Sequence, residues 1–235
     1  MSDPGSAAPR PAAAVIFDMD GVLVDSADAH RRAWQALGDE VGVPFTPALF
    51  RQTFGQRNAS IIPTWLAGHE QPDAQRMQEL GDRKEALYRT LVGQGAVRVY
   101  PGVTRLVDEL CAAGAKLAVA SSGPRENVAL LIDVIGVRHR IDACVSAEDV
   151  TEGKPHPEAF LRAAERLKVS PVACAVVEDS VHGIEAARRA GMLAVAVLTS
   201  TPREQLVVVG ADVVVRDVAA LAADDLVRAI AHRRG

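Results

Sequence analysis

The stretch AVIFDMDG, residues 14–21, joins a run of apolar residues to two carboxylates. Residues 14–17 are apolar and partly β-branched, which predicts a buried parallel strand. Asp18 and Asp20 follow at once, and Gly21 ends the stretch. Ligands of open α/β sheets bind beyond the carboxyl ends of the strands, so a functional site is expected here. Asp also starts turns, and an isolated D-x-D-G fits that role equally well.

The composition is that of an ordinary globular protein. Of 235 residues, 49% are hydrophobic and 24% are charged, and the net charge of −4 gives no basic surface for nucleic acid. We find no signal peptide and no apolar run of membrane-spanning length, so we expect a cytoplasmic protein without membrane contact, acting as a monomer. The cysteines form no C-x-x-C pair and fit reduced thiols; they are Cys111, Cys144 and Cys174.

The predicted elements divide the chain into three parts. Residues 1–11 are rich in Pro, Ala, Gly and Ser and predict a disordered tail. Residues 27–97 show only helical patterns and predict an inserted helical domain, called the cap below. Residues 12–26 and 98–235 predict one α/β core with a doubly wound parallel sheet, because strand and helix patterns alternate there. We expect its last strand over residues 211–215.

Three further polar clusters follow predicted strands of the same sheet. Residues 121–123, Ser-Ser-Gly, open a helix whose free backbone N–H groups favour an anion. Lys154 lies between glycine and proline, on a loop too constrained for an ordinary solvated side chain. Glu178 and Asp179 are adjacent acids at a strand end. All of these side chains are therefore expected at the same edge of the sheet.

Together, the acids and the cation predict a phosphate site that contains a metal ion. Clustered carboxylates favour a hard divalent cation such as Mg²⁺, while the lysine and the N–H groups favour the phosphate itself. Asp18 is suited to attack phosphorus and form an aspartyl-phosphate. Asp20 is suited to protonate the leaving oxygen and then to accept a proton from the next nucleophile. Lys154 and Ser121 would hold the equatorial oxygens.

At this point the motifs resemble the haloacid dehalogenase superfamily of phosphotransferases. The four matching segments are FDMDG, the strand ending at residue 121, GKPHPEAF around Lys154, and VVEDSVHGIEAARRAGM. The resemblance implies a Rossmann-like core, a nucleophile at Asp18 and an acid/base residue at Asp20. Dehalogenases proper lack the second aspartate, so Asp20 implies phosphate-ester chemistry. The implied magnesium ligands are Asp18, the carbonyl of Asp20, and Asp179, with Glu178 assisting.

Within this family, the inserted cap is similar to the branch of β-phosphoglucomutase and phosphoglycolate phosphatase. The run DGVLVDSADAHRRAW is similar to the corresponding segment of the mutase, and this resemblance implies that His30 faces the substrate. Alternatively, His30 is a half-buried helix residue that only packs against its neighbours. Arg57 falls near the position of the mutase's cap arginine, which binds the phosphate that is not transferred. The number of residues between the preceding glycine and the arginine differs, however, because the mutase has one more. Arg125 either substitutes for a second-phosphate ligand or starts a helix in solvent. The implied substrate- and phosphate-binding residues are Ser122, Gly123, His30, Arg57 and Arg125.

Three functional hypotheses remain, and they differ in strength. The favoured one is a Mg²⁺-dependent phosphatase of a small phosphorylated metabolite, such as a sugar phosphate. A sugar phosphomutase is the alternative, supported by His30 but not by the residues after Ser121, which lack the mutase's lysine. A signalling receiver domain shares the acidic pair, hydroxyl and lysine, but not the cap. An EF-hand is excluded because Gly21 is at position four counted from Asp18, whereas the calcium loop needs glycine at position six.

The sequence leaves two residues of the long cap helix open. Arg83 and Lys84 either face the substrate or meet water.

Overall fold

A computed structural model describes residues 13–233, so the predicted tail over residues 1–11 lies outside the described residues. The strands are β1 (Ala14–Phe17), β2 (Val24–Asp25), β3 (Arg98–Val99), β4 (Lys116–Ala120), β5 (Ala143–Val145), β6 (Cys174–Glu178), β7 (Leu193–Val197) and β8 (Val213–Val215). The helices are α1 (Ala27–Val41), α2 (Pro47–Thr53), α3 (Asn58–Trp65), α4 (Ala74–Gly93), α5 (Val103–Ala112), α6 (Arg125–Ile135), α7 (Glu158–Leu167), α8 (Val181–Arg189), α9 (Arg203–Val208) and α10 (Ala223–His232).

Six parallel strands form one sheet in the order β5-β4-β1-β6-β7-β8. The chain passes from β1 to β4 and β5 on one side, and then returns to β6, β7 and β8 on the other. This reversal places the switch point of the doubly wound sheet at the carboxyl end of β1, where such sheets bind ligands. The register sets Phe17 level with Val119 and Val177, so the residues after β1, β4 and β6 emerge at nearly the same height.

Alternation along the buried strands divides the core into two layers. In β1, Val15 and Phe17 face one hydrophobic cluster, while Ala14 and Ile16 face the other, as the two-residue period of a strand requires. All four side chains are fully buried. The apolar run that predicted this strand is therefore continuous because both faces of the sheet are covered by helices.

The helices of residues 27–97 have a third cluster of their own. Trp34 of α1 stacks on Phe45 with ring centroids 4.8 Å apart, and Trp65 of α3 packs edge-on against both rings. The cap joins the core through β2 and β3, a two-residue antiparallel pair that the sequence patterns did not predict. Tyr88 of α4 belongs instead to a core cluster, so the cap and the core share packed side chains.

The predicted fold class is confirmed, and the differences lie at the C-terminal end. The last strand is shorter than expected, covering Val213–Val215, and the helices α9 and α10 were not predicted. Helix α10 packs its apolar face, which includes Leu226 and Ile230, against the sheet. Among the helices within residues 13–233, none is both long and apolar enough to cross a membrane.

Candidate active site

The strand ends bring the predicted residues to one place. The backbone N–H of Asp18 donates to the carbonyl of Val177 at 3.0 Å, which continues the ladder between β1 and β6 beyond Phe17. Ser121, directly after β4, likewise donates to the carbonyl of Val145 at 3.0 Å. Residues distant in sequence are therefore held by sheet hydrogen bonds at the same edge, as expected from the parallel strands.

A lysine ammonium group joins two of the acids. Lys154 Nζ lies 2.5 Å from Asp18 Oδ1 and 2.6 Å from Glu178 Oε1, and it lies over the ring of Phe160 at 4.9 Å from the centroid. Burial alone lowers the pKa of Lys154, but the two carboxylates raise it above the ordinary value for lysine. Lys154 therefore stays cationic and electrostatically holds Asp18 and Glu178 together.

Three acids form one cluster. Asp18, Glu178 and Asp179 are buried, and each offers a carboxylate oxygen within 4.8 Å of the others. Burial, together with the neighbouring negative charges, raises the pKa of Asp18 to about 7 and that of Asp179 well above its ordinary value. One ammonium group does not neutralise three carboxylates. This set of hard oxygen donors with excess negative charge fits a divalent cation.

Two glycines leave space for these carboxylates. Gly21 has φ +84°, a conformation that favours glycine, and a Cβ there would overlap the carboxylate of Asp179. A Cβ on Gly183, in the first turn of α8, would overlap the carboxylate of Glu178. The glycines of FDMDG and of VVEDSVHG are therefore part of the site, because they let the acids approach the backbone closely.

Both oxygens of Glu178 are already engaged. Oε1 accepts from Lys154, and Oε2 accepts from the backbone N–H groups of Asp179 and Ser180 at 2.8 and 2.9 Å and from the Ser180 hydroxyl at 3.0 Å. Burial works to raise the pKa of Glu178, but Lys154 and these hydrogen bonds hold it below its ordinary value. Glu178 is thus an ionised carboxylate that orients Lys154. Asp179 also accepts a very short hydrogen bond from the hydroxyl of Ser200, a residue that the sequence patterns did not single out.

Asp20 faces the cap. Its Oδ1 accepts from the Ser26 hydroxyl at 2.5 Å and lies 3.3 Å from His30 Nε2. Burial works to raise the pKa of Asp20, yet the contacts with His30 and Ser26 hold it below its ordinary value. The structure therefore brings His30 into the site, stacked on the ring of Tyr88 at 3.9 Å between centroids.

The other predicted phosphate ligands separate into two groups. Ser122 and Gly123 line the cavity between cap and core, whereas Ser121 is buried just behind them, where its Oγ accepts from the backbone N–H of Gly123 at 3.0 Å. Arg125 does not line this cavity; its side chain is 68% exposed and pairs with Asp149 at 3.0 Å.

Arg57 lines the cavity, but its guanidinium is engaged by the core. Its two terminal nitrogens donate to the carbonyls of Ala147 and Thr151, both at 3.0 Å. Its aliphatic stem crosses Gly153, where a Cβ would lie 3.1 Å from Arg57 Cδ. The contact observed in this structure therefore ties the cap to the loop that carries Lys154. A grip on substrate phosphate stays a prediction.

Two buried charged residues of the cap belong to the site: Lys84, for which the sequence left contact with substrate or with water open, and Glu85, which the sequence patterns did not single out. Lys84 Nζ contacts His30 Nδ1 and Glu85 Oε1, each at 2.9 Å, and both side chains line the cavity. Glu85 also accepts from Asn58 at 2.8 Å and from Asn127 of the core helix α6 at 2.6 Å. A signal was present in the sequence: Lys84 falls four residues after the apolar Leu80, on the buried face of α4.

These residues surround one cavity of about 560 Å³ between the cap and the carboxyl ends of the strands. Its core side carries the acid cluster and Lys154, and its cap side carries both aromatic and polar groups. This volume is within the range of about 300–1,000 Å³ that holds small-molecule ligands. The arrangement places the neighbouring carboxylates of Asp18 and Asp20, the Lys154 ammonium and the acid cluster at one end of the cavity.

Comparison with known proteins agrees with this geometry. The model of the haloacid dehalogenase-like hydrolases matches residues 12–191. Beta-phosphoglucomutase of Mycobacterium tuberculosis (strain CDC 1551 / Oshkosh) is 36% identical, over 91% of this chain and 92% of that protein. Validoxylamine A 7'-phosphate phosphatase of Streptomyces hygroscopicus subsp. limoneus is 32% identical, over 86% of this chain and 92% of that protein. The crystal structure of beta-phosphoglucomutase from Clostridium difficile superposes on this chain with a TM-score of 0.83 at 26% sequence identity. The superposition covers 94% of this chain and 98% of that one. The chain therefore belongs to the haloacid dehalogenase-like hydrolases, and it is an enzyme of the group that includes phosphatases and phosphoglucomutases.

Proposed function

We propose that this enzyme is a Mg²⁺-dependent phosphatase that hydrolyses the monoester of a small phosphorylated metabolite, such as a sugar phosphate. The observation that carries the proposal is the group of Asp18, Glu178 and Asp179 around the Lys154 ammonium, at the end of a ligand-sized cavity. A phosphate group can approach these acids only if their charge is offset. When bound, Mg²⁺ would supply that charge and stabilise the oxygens of the transferring phosphoryl group.

The residues of the chain then have defined tasks. Asp18 attacks phosphorus with one carboxylate oxygen, and the bond from phosphorus to the leaving oxygen breaks as the aspartyl-phosphate forms. The negative charge of the bound phosphate favours the protonated form of Asp20, which then transfers this proton to the leaving oxygen. A water molecule next attacks phosphorus while Asp20 accepts its proton, which releases inorganic phosphate and restores the Asp18 carboxylate. Lys154 and Ser121 hold the non-reacting phosphate oxygens.

Charges around the cavity favour hydrolysis over mutase chemistry. A mutase holds a second phosphate on the far side of the sugar and needs cations there. Among the described residues that line the cavity, Arg57 donates to core carbonyls, and Lys84 is paired with Glu85. Arg51 is the one remaining cap cation of that lining without a hydrogen bond or ion pair to the protein, and Arg125 points away from the cavity. These contacts support a single phosphate in the substrate.

The mutase remains the second candidate for two reasons. His30, the residue that the mutase resemblance singled out, lies in the site beside Asp20, and beta-phosphoglucomutase of M. tuberculosis is similar along nearly the whole chain. One incubation separates the two reactions: the enzyme with Mg²⁺, β-glucose 1-phosphate and a trace of glucose 1,6-bisphosphate. We expect release of inorganic phosphate from this and other sugar phosphates. Rapid formation of glucose 6-phosphate without free phosphate would instead establish the mutase.

We further propose that the enzyme acts as a monomer in the cytoplasm. Cys111, Cys144 and Cys174 lie in three different elements, α5, β5 and β6, which fits a protein whose thiols stay reduced. Gel filtration with light scattering tests the monomer directly. A stable dimer at micromolar concentration would contradict it.

A further inference from the structure

Helix α4 carries a glycine in its interior at the cavity wall. Gly81 is buried, lies one turn before the Lys84–Glu85 pair, and lines the cavity together with Met77 and Gln78. Glycine in the middle of a helix is unfavourable relative to alanine, because it loses more backbone entropy on folding and adds no packing. A glycine that persists there usually serves packing or ligand binding.

Packing does not require this glycine. A Cβ at Gly81 would lie 3.6 Å from Asn58 Nδ2, 3.7 Å from Asn58 Cβ and 3.9 Å from Ile62 Cδ1, which are ordinary van der Waals distances. Gly38 of α1 differs, since a Cβ there would lie 2.8 Å from the Val43 carbonyl oxygen. Alanine would therefore fit at position 81, and its methyl group would lie at the cavity wall beside Asn58, which also lines the cavity.

The same helix shows how far the cavity extends. Its lining includes residues of α4 from Ala74 to Glu85, and eleven steps of helical rise correspond to roughly 16 Å. The Glu85 end is joined through Lys84 and His30 to Asp20, so it lies nearest the chemistry. Gly81 is one turn farther out. A leaving group that extends outward along α4 from the Glu85 end would therefore reach this glycine.

The outer part of the cavity is suited to hydroxyl groups and not to a second anion. Asp82 follows Gly81 on α4 and Glu148 lines the cavity from the core; among the described residues neither carboxylate has an ion pair with a cationic side chain, and the single unpaired cation of the lining is Arg51. Phe50 and Met77 add apolar surface. Aromatic and aliphatic surface beside hydrogen-bonding groups is the combination that binds an extended, uncharged polyhydroxyl group.

We propose that Gly81 is a specificity-determining residue that admits a leaving group longer than one sugar ring, so that the substrate is a monophosphate of an extended polyhydroxyl compound such as a disaccharide. This inference rests on the proposed phosphatase function. The Lys154 end binds the phosphate, the bare backbone at position 81 lets the leaving group pass, and the outer cavity binds its second ring.

The test compares Gly81→Ala with the wild type on glycerol 3-phosphate, glucose 6-phosphate and trehalose 6-phosphate, with phosphate release as the readout. We expect kcat/KM for trehalose 6-phosphate to fall at least about 10-fold, as one added carbon in a fitted pocket typically causes. For glycerol 3-phosphate the change should stay below about twofold, since that substrate does not reach position 81. The melting temperature should rise by roughly 2–4 °C, because alanine stabilises a helix interior.

A matched control is Gly93→Ala, since Gly93 is the last residue of the same helix, is exposed, and has open space within 4 Å of where the alanine methyl group would lie. It should leave the kcat/KM values for all three substrates unchanged. An equal loss on the three substrates by Gly81→Ala, a lower melting temperature, or a wild type that hydrolyses glycerol 3-phosphate but not trehalose 6-phosphate would overturn the inference while leaving the phosphatase intact. A wild type that releases phosphate from none of them refutes the phosphatase itself.

Discussion

Lys84 Nζ, on helix α4 of the cap, donates to His30 Nδ1 at 2.9 Å. An ammonium group can only donate, so Nδ1 accepts and the imidazole hydrogen lies on Nε2. Nε2 lies 3.3 Å from Asp20 Oδ1 and donates to it. A buried cation of the cap therefore fixes the tautomer of the imidazole that faces the proposed proton carrier, and this makes the cap part of the acid-base chemistry.

Replacing Lys84 should weaken proton transfer more than phosphate binding. We expect Lys84→Met to lower kcat for glycerol 3-phosphate about 10- to 100-fold, because Asp20 is then held by a poorly oriented imidazole. The loss on p-nitrophenyl phosphate should be much smaller, since that leaving group needs little protonation. Arg83→Met is the control, as Arg83 pairs with Glu40 at the surface. Steady-state kinetics that show equal losses on the two substrates would contradict this role.

The nucleophile prediction is tested by Asp18→Asn. The amide keeps the shape of the side chain but cannot form the aspartyl-phosphate, so kcat should fall at least about 1,000-fold on every substrate. Lys154 keeps Glu178 as its partner at 2.6 Å, and the variant should therefore still unfold in one cooperative transition. Phosphate release and thermal unfolding measure the two effects. A purified, folded variant with retained turnover would show that Asp18 is not the nucleophile.

A divalent ion should stabilise the fold by binding the acid cluster. At 100 times its dissociation constant, Mg²⁺ would add about 2.7 kcal/mol to the free energy of unfolding, or roughly 5–10 °C in melting temperature. Asp179→Asn removes one of the three clustered carboxylates and should abolish most of this shift. Asp82→Asn, on the cap side of the same cavity, should retain it. Scanning calorimetry with and without EDTA measures the effect, and an unchanged shift in Asp179→Asn argues against this cluster as the metal site.

Residues after the strands could be predicted because the geometry of a parallel sheet determines where they lie. Asp18 and Glu178 converge as expected, since hydrogen bonds of the sheet hold the ends of β1 and β6 level, and Lys154 reaches both from the loop after β5. Cap contacts could not be predicted in this way. Whether Lys84 meets water or His30 depends on how α4 packs on α1, and the direction of Arg125 depends on Asp149, which lies 24 residues later.

Arg57 gives a test of how the cap meets the core. Its guanidinium binds the carbonyls of Ala147 and Thr151, at the start of the loop that leads to Lys154. We therefore expect Arg57→Ala to lower kcat/KM roughly 10-fold on glycerol 3-phosphate and glucose 6-phosphate alike, because two charge-assisted hydrogen bonds across the cleft are lost. Arg51→Ala, which removes no such bond, should leave glycerol 3-phosphate nearly unchanged. A loss restricted to glucose 6-phosphate would favour direct substrate binding by Arg57.

Asp149 anchors the same loop. Its Oδ2 accepts from the backbone N–H and hydroxyl of Ser146 at 2.9 and 2.8 Å, and its Oδ1 accepts from Arg166 at 2.6 Å. The hydrogen bond from Arg166 holds the pKa of Asp149 below its ordinary value, and the Ser146 contacts add to this effect. Folding thus favours the ionised carboxylate. Asp149 therefore adds to the free energy of unfolding at pH values above the pKa of an unfolded aspartate, near 4. This contribution is lost as the pH falls below that value.

Asp149→Asn should therefore destabilise the protein by about 1–2 kcal/mol at pH 7, since Arg166 and Ser146 lose an ionised acceptor. The difference in unfolding free energy between variant and wild type should shrink as the pH falls from 5 to 3, because the unfolded wild type takes up a proton at Asp149 while the folded protein keeps this carboxylate ionised. Urea unfolding of both proteins at several pH values measures this difference in unfolding free energy. Asp39→Asn, at an exposed position of α1, serves as the control and should match the wild type at each pH. A difference that stays constant down to pH 3 would mean that the ionisation of Asp149 does not stabilise this loop.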